Sequence, residues 1–152
     1  MNWTAKDVEV FLKEREYIDT AIIPLVPISF TESMRRVVEQ GEFIDLLSLH
    51  LERQFKGRML VIPPFTYMGE PDLKKVELQQ WAQQAITSGF SHVFFLTSDK
   101  KWKQHEEELT GKVIYVPSIP IKDMDEHYKH SMMDKQLNNI MDDIIEGWQL
   151  SE

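Results

Sequence analysis

The chain of 152 residues contains no cysteine and no long apolar run. The absence of cysteine excludes thiol catalysis, disulfide bonds, iron–sulfur clusters and cysteine-ligated zinc, and it is compatible with a reducing compartment. No stretch approaches the ~20 apolar residues of a membrane-spanning helix. Residues 1–7 also lack the basic and apolar segments of a signal peptide. We therefore expect a cytoplasmic protein without membrane insertion.

Basic residues are also few: the chain has 17 lysines and arginines but 25 aspartates and glutamates, which gives a net charge of -8. Eight of the acids and only two of the bases lie in residues 123–152. Binding by neutralisation of phosphates requires an extended positive surface. We therefore expect an acidic protein with no nucleic-acid partner.

Four short segments rich in β-branched and aromatic residues predict strands that are covered on both faces. They are residues 21–28, 58–62, 92–97 and 113–116. Pro24 and Pro27 in the first segment, and Pro63 and Pro64 after the second, are expected to mark the strand exits. The physical reason is that proline cannot donate a hydrogen bond to a central ladder.

Helical spacing of apolar residues predicts a first helix that Thr4 caps and that ends near Glu16. Thr31 is expected to cap a short helix that runs through Gln40, and Gly41 then separates it from a longer helix. The remaining predicted helices cover residues 72–89, 99–109 and 131–148. Strand and helix alternate four times, which implies right-handed crossovers. We predict one α/β domain over residues 1–152, with three layers (α/β/α) and a mostly parallel sheet of about four strands.

The last predicted helix, residues 131–148, is amphipathic. Its outer face is acidic, and its apolar stripe consists of Met133, Leu137, Ile140, Met141, Ile144, Ile145 and Trp148. A parallel sheet needs cover on both faces, so we expect this stripe to dock on the chain's own sheet. The alternative is that the stripe enters a groove of a partner protein.

The exits of the predicted strands are the place to look for a ligand, because open parallel sheets bind ligands beyond the carboxyl ends of their strands. The candidate residues of this cleft are Ser29, Thr31, Glu32, Phe65, Thr66, Tyr67, Thr97, Ser98 and Asp99. The exits contain no glycine-rich phosphate loop and no nucleophile elbow. The alternative interpretation is that the prolines end strands and the hydroxyls cap helices.

Two further clusters have a functional and a structural interpretation. Lys100, Lys101 and Lys103 surround Trp102 and would suit a phosphate or carboxylate, or else form a solvated basic face beside a docked tryptophan. His127 and His130 lie three residues apart among acids, a spacing that suits a metal, yet we expect a solvated acidic segment there. We accordingly predict no resident metal and no cofactor.

Three stretches carry a resemblance to a known family: residues 3–7, 51–58 and 63–67. Together they make the chain resemble, over nearly its whole length, the short uncharacterised YpiF-like proteins of Bacillus-type bacteria. This resemblance implies no assigned activity.

The chain also resembles the creatininase-type metal amidohydrolases at two strand exits. The matching residues are Pro27, Thr31 and Glu32 at the first exit, and Pro63, Pro64 and Tyr67 at the second. Met34 stands where that family has a metal-binding histidine, and residues 97–102 depart from its Asn-Gly-His-Gly-Gly-Asn motif. One glutamate cannot assemble the ligands that activate a water molecule. The resemblance therefore implies a creatininase-like scaffold without the metal chemistry.

These observations favour a non-catalytic binding or interaction module that recognises a protein partner or a small molecule. The alternative is a hydrolase or small-molecule-binding protein that uses the strand-exit cleft. Whether the protein is an enzyme stays uncertain at this point, and the missing ligand set favours a negative answer.

Overall fold

The computed structural model describes residues 1–150. Four α-helices are α1 (Ala5–Lys13), α2 (Met34–Gln54), α3 (Lys75–Thr87) and α4 (Glu126–Gln149). Five strands are β1 (Thr20–Ile28), β2 (Met59–Val61), β3 (Phe65–Met68), β4 (His92–Thr97) and β5 (Lys112–Tyr115). Two 3₁₀ segments, Pro71–Leu73 and Lys100–Glu108, precede α3 and β5.

The strands form one sheet in the order β2-β1-β4-β5, and β3 pairs with the same edge of β1 as β2 does. Every strand pair is parallel. The predicted α/β class with a mostly parallel sheet and helices on both faces is confirmed. The sheet has five strands rather than about four, because residues 65–68 form β3 instead of the expected loop.

The two prolines of β1 do not end the strand, which was the expectation from sequence. The amide of Thr20 and the carbonyl of Ile22 bond towards β2, so alternation turns the backbone nitrogen of Pro24 towards the same side. Pro24 lies opposite the break between β2 and β3, where a donor has no strand partner. Pro27 faces the other side, beyond the end of β4 at Thr97. The prolines therefore occupy the two places where the central strand has no neighbour to donate to.

Alternating side chains of the strands divide the core into two layers. On one face Ile23, Leu25 and Phe95 pack with Phe11 of α1, Leu78 of α3 and Trp102. On the other face Ile22, Phe94 and Leu96 pack with Phe43 and Leu47 of α2 and Ile140 of α4. This is the three-layer arrangement that the sequence predicts.

Helix α2 is one continuous helix of 21 residues, so the expected separation at Gly41 is wrong. Gly41 is buried, and a Cβ atom there would lie 3.3 Å from Val26 of β1. The glycine thus permits close approach of helix and strand, which compensates for its unfavourable helix propensity. Ser33 occupies the N-cap position that was predicted for Thr31, without a capping side-chain bond.

Helix boundaries differ from the predictions at three other places. Helix α1 ends at Lys13 rather than near Glu16. Helix α3 begins at Lys75 because Asp72 lies in the preceding 3₁₀ turn, where its carboxylate pairs with Lys75 at 2.9 Å. The polar segment after β4 is a 3₁₀ helix that Asp99 caps.

Helix α4 begins at Glu126, five residues before the predicted start at 131, because Asp125 caps it by accepting from the Tyr128 amide at 2.8 Å. Most of the predicted stripe is buried against the sheet and α2; the exceptions are Met141, which is half-buried, and Ile145, which is exposed. The indole N–H of Trp148 donates to the Thr20 hydroxyl at 2.8 Å and so anchors the end of α4 to β1. Among the described residues, no helix is both long and apolar enough to cross a membrane.

Candidate ligand-binding cleft

The order of the strands defines where a cleft opens. From β1 the chain first goes to β2 and β3 on one side and then crosses to β4 on the other side. The loops that leave β1 and β4 therefore turn towards opposite faces of the sheet, and a crevice forms between them. A cleft of about 670 Å³ lies at this point. Its walls come from the segments after β1, β3 and β4 and from the first turns of α2.

Three hydroxyl groups form a connected cluster on the β1 side of the cleft. The Ser29 hydroxyl lies 3.0 Å from the Thr31 hydroxyl and 2.7 Å from the Ser33 hydroxyl. The Thr31 amide also donates to Ser29, at 3.3 Å. All three side chains line the cleft. The cluster offers rotatable O–H donors to a ligand.

On the β4 side, Asp99 is held by three protein groups. The Tyr67 hydroxyl donates to one carboxylate oxygen at 2.8 Å, and the Lys101 amide donates to the other at 3.1 Å. The Asp99 amide donates to the Thr97 hydroxyl at 2.9 Å. Burial raises the pKa of Tyr67 well above its usual value, and the charge of Asp99 raises it further. Tyr67 therefore stays protonated and acts as a hydrogen-bond donor, while Asp99 caps the 3₁₀ helix.

Basic side chains predominate among the charged groups of the cleft. Lys101 pairs with Glu70 at 2.8 Å, and this hydrogen bond raises the pKa of Lys101, whereas the nearby guanidinium of Arg36 acts in the opposite direction. Arg36 and Lys100 also line the cleft, and within residues 1–150 the side chain of neither makes a hydrogen bond or an ion pair. The lining thus combines three cations, Arg36, Lys100 and Lys101, with two carboxylates, Glu70 and Asp99, and keeps one net positive charge on a molecule whose net charge is -8.

The mouth of the cleft is apolar. Ile28 and Met68 are register partners on β1 and β3, and both line the cleft together with Phe30. Their exposed fractions are 36% for Ile28, 53% for Met68 and 73% for Phe30. These side chains form an exposed apolar edge beside the basic wall.

The predicted cleft residues divide into three groups. Ser29, Thr31, Ser98 and Asp99 line the cleft. Phe65, Tyr67 and Thr97 are buried and are not among the lining residues, and Tyr67 and Thr97 contact the site through hydrogen bonds with Asp99. Glu32 and Thr66 are exposed and are not among the lining residues.

Sequence reasoning missed several lining residues, of which Arg36 and Glu70 are the most informative. Arg36 lies inside α2, and only the position of the sheet decides which face of a helix turns to the cleft. Glu70 follows Gly69, whose φ of 94° is a backbone conformation that favours glycine. The Gly-Glu-Pro sequence at 69–71 was a signal for this turn.

The structure separates the other candidate clusters. Trp102 is fully buried against Tyr67 and Phe65. Lys103 lies outside the cleft and pairs with Glu106 at 3.5 Å. His130 faces His50 of α2, with 5.1 Å between the ring centroids, whereas His127 is exposed at the start of α4. In the described part of the chain, no three metal-ligating side chains come together.

A second depression lies between the N-terminal segment at Trp3 and α3 and is larger, about 750 Å³. It is lined by Trp3, Ile23, Ile62, Trp81, Phe90 and four smaller or amide side chains, and none of its described lining residues is charged. Ile23 lies within β1 and Ile62 directly follows β2, whereas the described residues that follow β1 and β4 are not part of this lining. The strand-exit cleft is the better candidate because it lies at the carboxyl ends of parallel strands, where the connections of β1 and β4 diverge.

The fold and the cleft define a doubly wound α/β protein with a polar crevice at its topological switch point. The chain belongs to the family described as "Protein of unknown function (DUF2487)", whose model matches residues 9–148. It is similar to the "Uncharacterized protein YpiF" of Bacillus subtilis (strain 168), with 35% identity over 148 residues that cover 97% of this chain and 98% of that protein. The predicted resemblance to the YpiF-like proteins is therefore confirmed.

No solved structure matches the chain. The resemblance to the creatininase-type amidohydrolases thus receives no support from the comparisons.

Proposed function

We propose that this protein is a non-catalytic binding protein that holds a small molecule in the cleft at the carboxyl ends of β1, β3 and β4. One observation carries the proposal: the cleft lies where the connections of β1 and β4 diverge, which is the usual ligand site of doubly wound sheets. Its volume of about 670 Å³ falls within the range of ~300–1,000 Å³ that is typical of ligand pockets.

The chemistry of the lining residues supports binding over hydrolysis. A serine or threonine nucleophile needs an adjacent base, and no histidine lines the cleft near Ser29, Thr31 and Ser33. Both carboxylate oxygens of Asp99 already accept protein hydrogen bonds. The raised pKa of Tyr67 keeps its hydroxyl protonated, so Tyr67 does not provide a phenolate nucleophile.

The alternative of a protein partner held by the C-terminal helix has less support. Five residues of the predicted stripe are buried inside this chain: Met133, Leu137, Ile140, Ile144 and Trp148. These residues are therefore not available to a partner unless α4 leaves the sheet.

The test is a thermal-shift screen of small metabolites, followed by variants of the cleft. Arg36→Gln removes a cation that lines the cleft, and Arg35→Gln is its matched control, because Arg35 lies outside the cleft and pairs with Glu39. Glu32→Ala is a second control outside the lining residues. We expect stabilising compounds to lose affinity with Arg36→Gln and with Ser29→Ala, whereas the two control variants keep the affinity of the unchanged protein. Compounds whose affinity ignores Arg36→Gln and Ser29→Ala would place the site elsewhere and refute the proposal.

A further inference from the structure

The cleft has two chemically different walls, and this division identifies the class of ligand. We infer that the ligand is a small organic anion with a phosphate or carboxylate group attached to an apolar, preferably aromatic, body. This inference rests on the proposed function, because it assumes that the cleft is the binding site. It goes beyond that function by stating which chemistry the two walls select together.

The basic wall supplies the first part of the argument. Arg36 and Lys100 line the cleft without ion-pair partners among residues 1–150, whereas Lys101 is already paired with Glu70. The Asp99 carboxylate also lines the cleft, but both of its oxygens accept protein hydrogen bonds, and the lining keeps one net positive charge. Unpaired cations in a concave site concentrate the field and attract counter-ions. A planar guanidinium also matches the geometry of phosphate or carboxylate oxygens. An anionic group is therefore the complement that this wall lacks.

The hydroxyl cluster strengthens the assignment of an anion. The Ser29 hydroxyl lies 3.0 Å from that of Thr31 and 2.7 Å from that of Ser33, and all three side chains line the same cleft. Hydroxyl groups rotate and can turn their hydrogens towards acceptor oxygens. An anion with several oxygens can accept from these hydroxyls and from the guanidinium at once.

The apolar edge supplies the second part. Phe30, with 73% of its surface exposed, and Met68, with 53%, line the mouth of the cleft beside the basic wall. Exposed apolar side chains grouped at a cleft indicate a contact with an apolar surface. Methionine adapts to aromatic rings through its polarizable sulfur. An inorganic anion alone would leave this edge uncovered.

A dissolved anion fits better than the headgroup of a membrane lipid. The whole chain carries a net charge of -8, so an anionic membrane surface would repel most of the molecule. A cleft of about 670 Å³ can enclose a small molecule. We therefore commit to a soluble ligand, and membrane binding becomes an outcome of the test.

The experiment titrates the full chain with three probes and follows backbone amide resonances by NMR. The probes are phenyl phosphate, which combines both parts, and inorganic phosphate and phenol, which each provide one. We expect phenyl phosphate to bind at least tenfold more tightly than either fragment, with shifts centred on Ser29, Met68 and Lys101. Co-sedimentation with vesicles that contain phosphatidylglycerol is expected to show no binding.

Matched variants separate the two walls. Arg36→Gln and Lys100→Gln are each expected to weaken phenyl phosphate about tenfold, as the loss of a charge-assisted hydrogen bond implies. Their controls, Arg35→Gln and Lys103→Gln, lie outside the cleft and should leave affinity unchanged. Phe30→Ser is expected to bring the affinity for phenyl phosphate close to that for inorganic phosphate. Leu73→Ser, exposed by 76% but outside the cleft, is the apolar control.

The possible failures are distinguishable. If the cleft resonances respond to phenol as strongly as to phenyl phosphate, and Arg36→Gln has no effect, the ligand class is wrong while the cleft remains a binding site. If no probe and no compound of the thermal-shift screen perturbs the cleft resonances, the proposed function fails as well. Binding to the vesicles would overturn the choice of a soluble ligand.

Discussion

At the scale of single residues, close contacts between backbone and aromatic rings govern several positions. Gly147 of α4 lies against β4, and a Cβ atom there would stand 2.5 Å from the ring of Phe94. Phe94 has only 1% of its surface exposed, so its ring cannot move towards solvent. The small residue thus sets the distance between α4 and the sheet.

Gly147→Ala is therefore expected to lower the free energy of unfolding by about 1–3 kcal/mol, the usual cost of overpacking. The measurement is urea denaturation followed by tryptophan fluorescence. Gly57→Ala is the control, because nothing lies within 4 Å of a Cβ atom at that position. Equal stability of the two variants would show that α4 shifts without cost.

The indole of Trp148 is a second residue with a specific role. Its N–H donates to Thr20 inside the core, and the guanidinium of Arg58 lies 3.8 Å from its ring centroid while pairing with Asp19 at 3.1 Å. Trp148→Phe keeps an aromatic ring but removes the donor and part of the packing. We expect a loss of about 1–3 kcal/mol in the free energy of unfolding. A Trp148→Phe variant with wild-type stability in urea would show that this anchor is unimportant.

At the scale of secondary-structure elements, the interface of α2 and α4 contains a titratable group. His50 of α2 is buried, and it faces His130 and Asp134 of α4, with 3.7 Å between its Nδ1 and an Asp134 oxygen; Arg53 lies on its own helix. Burial lowers the pKa of His50, the positive charges of His130 and Arg53 lower it further, and Asp134 opposes them.

A lowered pKa in the folded state makes stability depend on pH in a defined direction. The neutral form of His50 is favoured by folding, so its contribution is complete above the unfolded pKa of about 6.5 and is lost as the pH falls through the folded value. We expect the free energy of unfolding to decrease between pH 7.5 and pH 5.5, and His50→Gln to flatten this decrease. His127→Gln, on the exposed start of α4, is the control. An unchanged slope in His50→Gln would contradict the assignment.

Helix α4 as a whole covers one face of the sheet. Burial of one large apolar side chain is worth roughly 1.5–3 kcal/mol, so its five buried residues together match much of the ~5–15 kcal/mol net stability of a domain. Deletion of residues 131–152 is therefore expected to give an unstable or insoluble product. A truncated protein with an unchanged melting temperature would show that α4 is an accessory arm.

At the scale of the whole molecule, the sequence predicts the class of fold but not the continuity of its elements. Alternation of apolar strands and amphipathic helices depends on local periodicity, which the sequence contains. Whether Pro24 is tolerated inside a central strand depends on the gap between β2 and β3, and this gap is a property of a distant segment. For the same reason β3 and the unbroken α2 were not predicted, since Gly41 gains its role only from contact with Val26.

The candidate site was likewise predicted only in the part that depends on local sequence. The rule that ligands bind beyond the carboxyl ends of parallel strands led directly to Ser29, Ser98 and Asp99. It did not lead to Arg36, because the choice of helix face requires the position of the sheet. It also did not reveal that the Tyr67 hydroxyl donates to Asp99, since that contact joins β3 to the segment after β4, 32 residues further along the chain.

The most direct test of the central claim is a crystal structure of the full chain with a stabilising compound from the thermal-shift screen. The account predicts density for the compound between the Ser29 hydroxyl cluster and the Lys100–Lys101 segment, with its polar end towards Arg36. Density in the apolar depression between Trp3 and Trp81, with the strand-exit cleft empty, would contradict it.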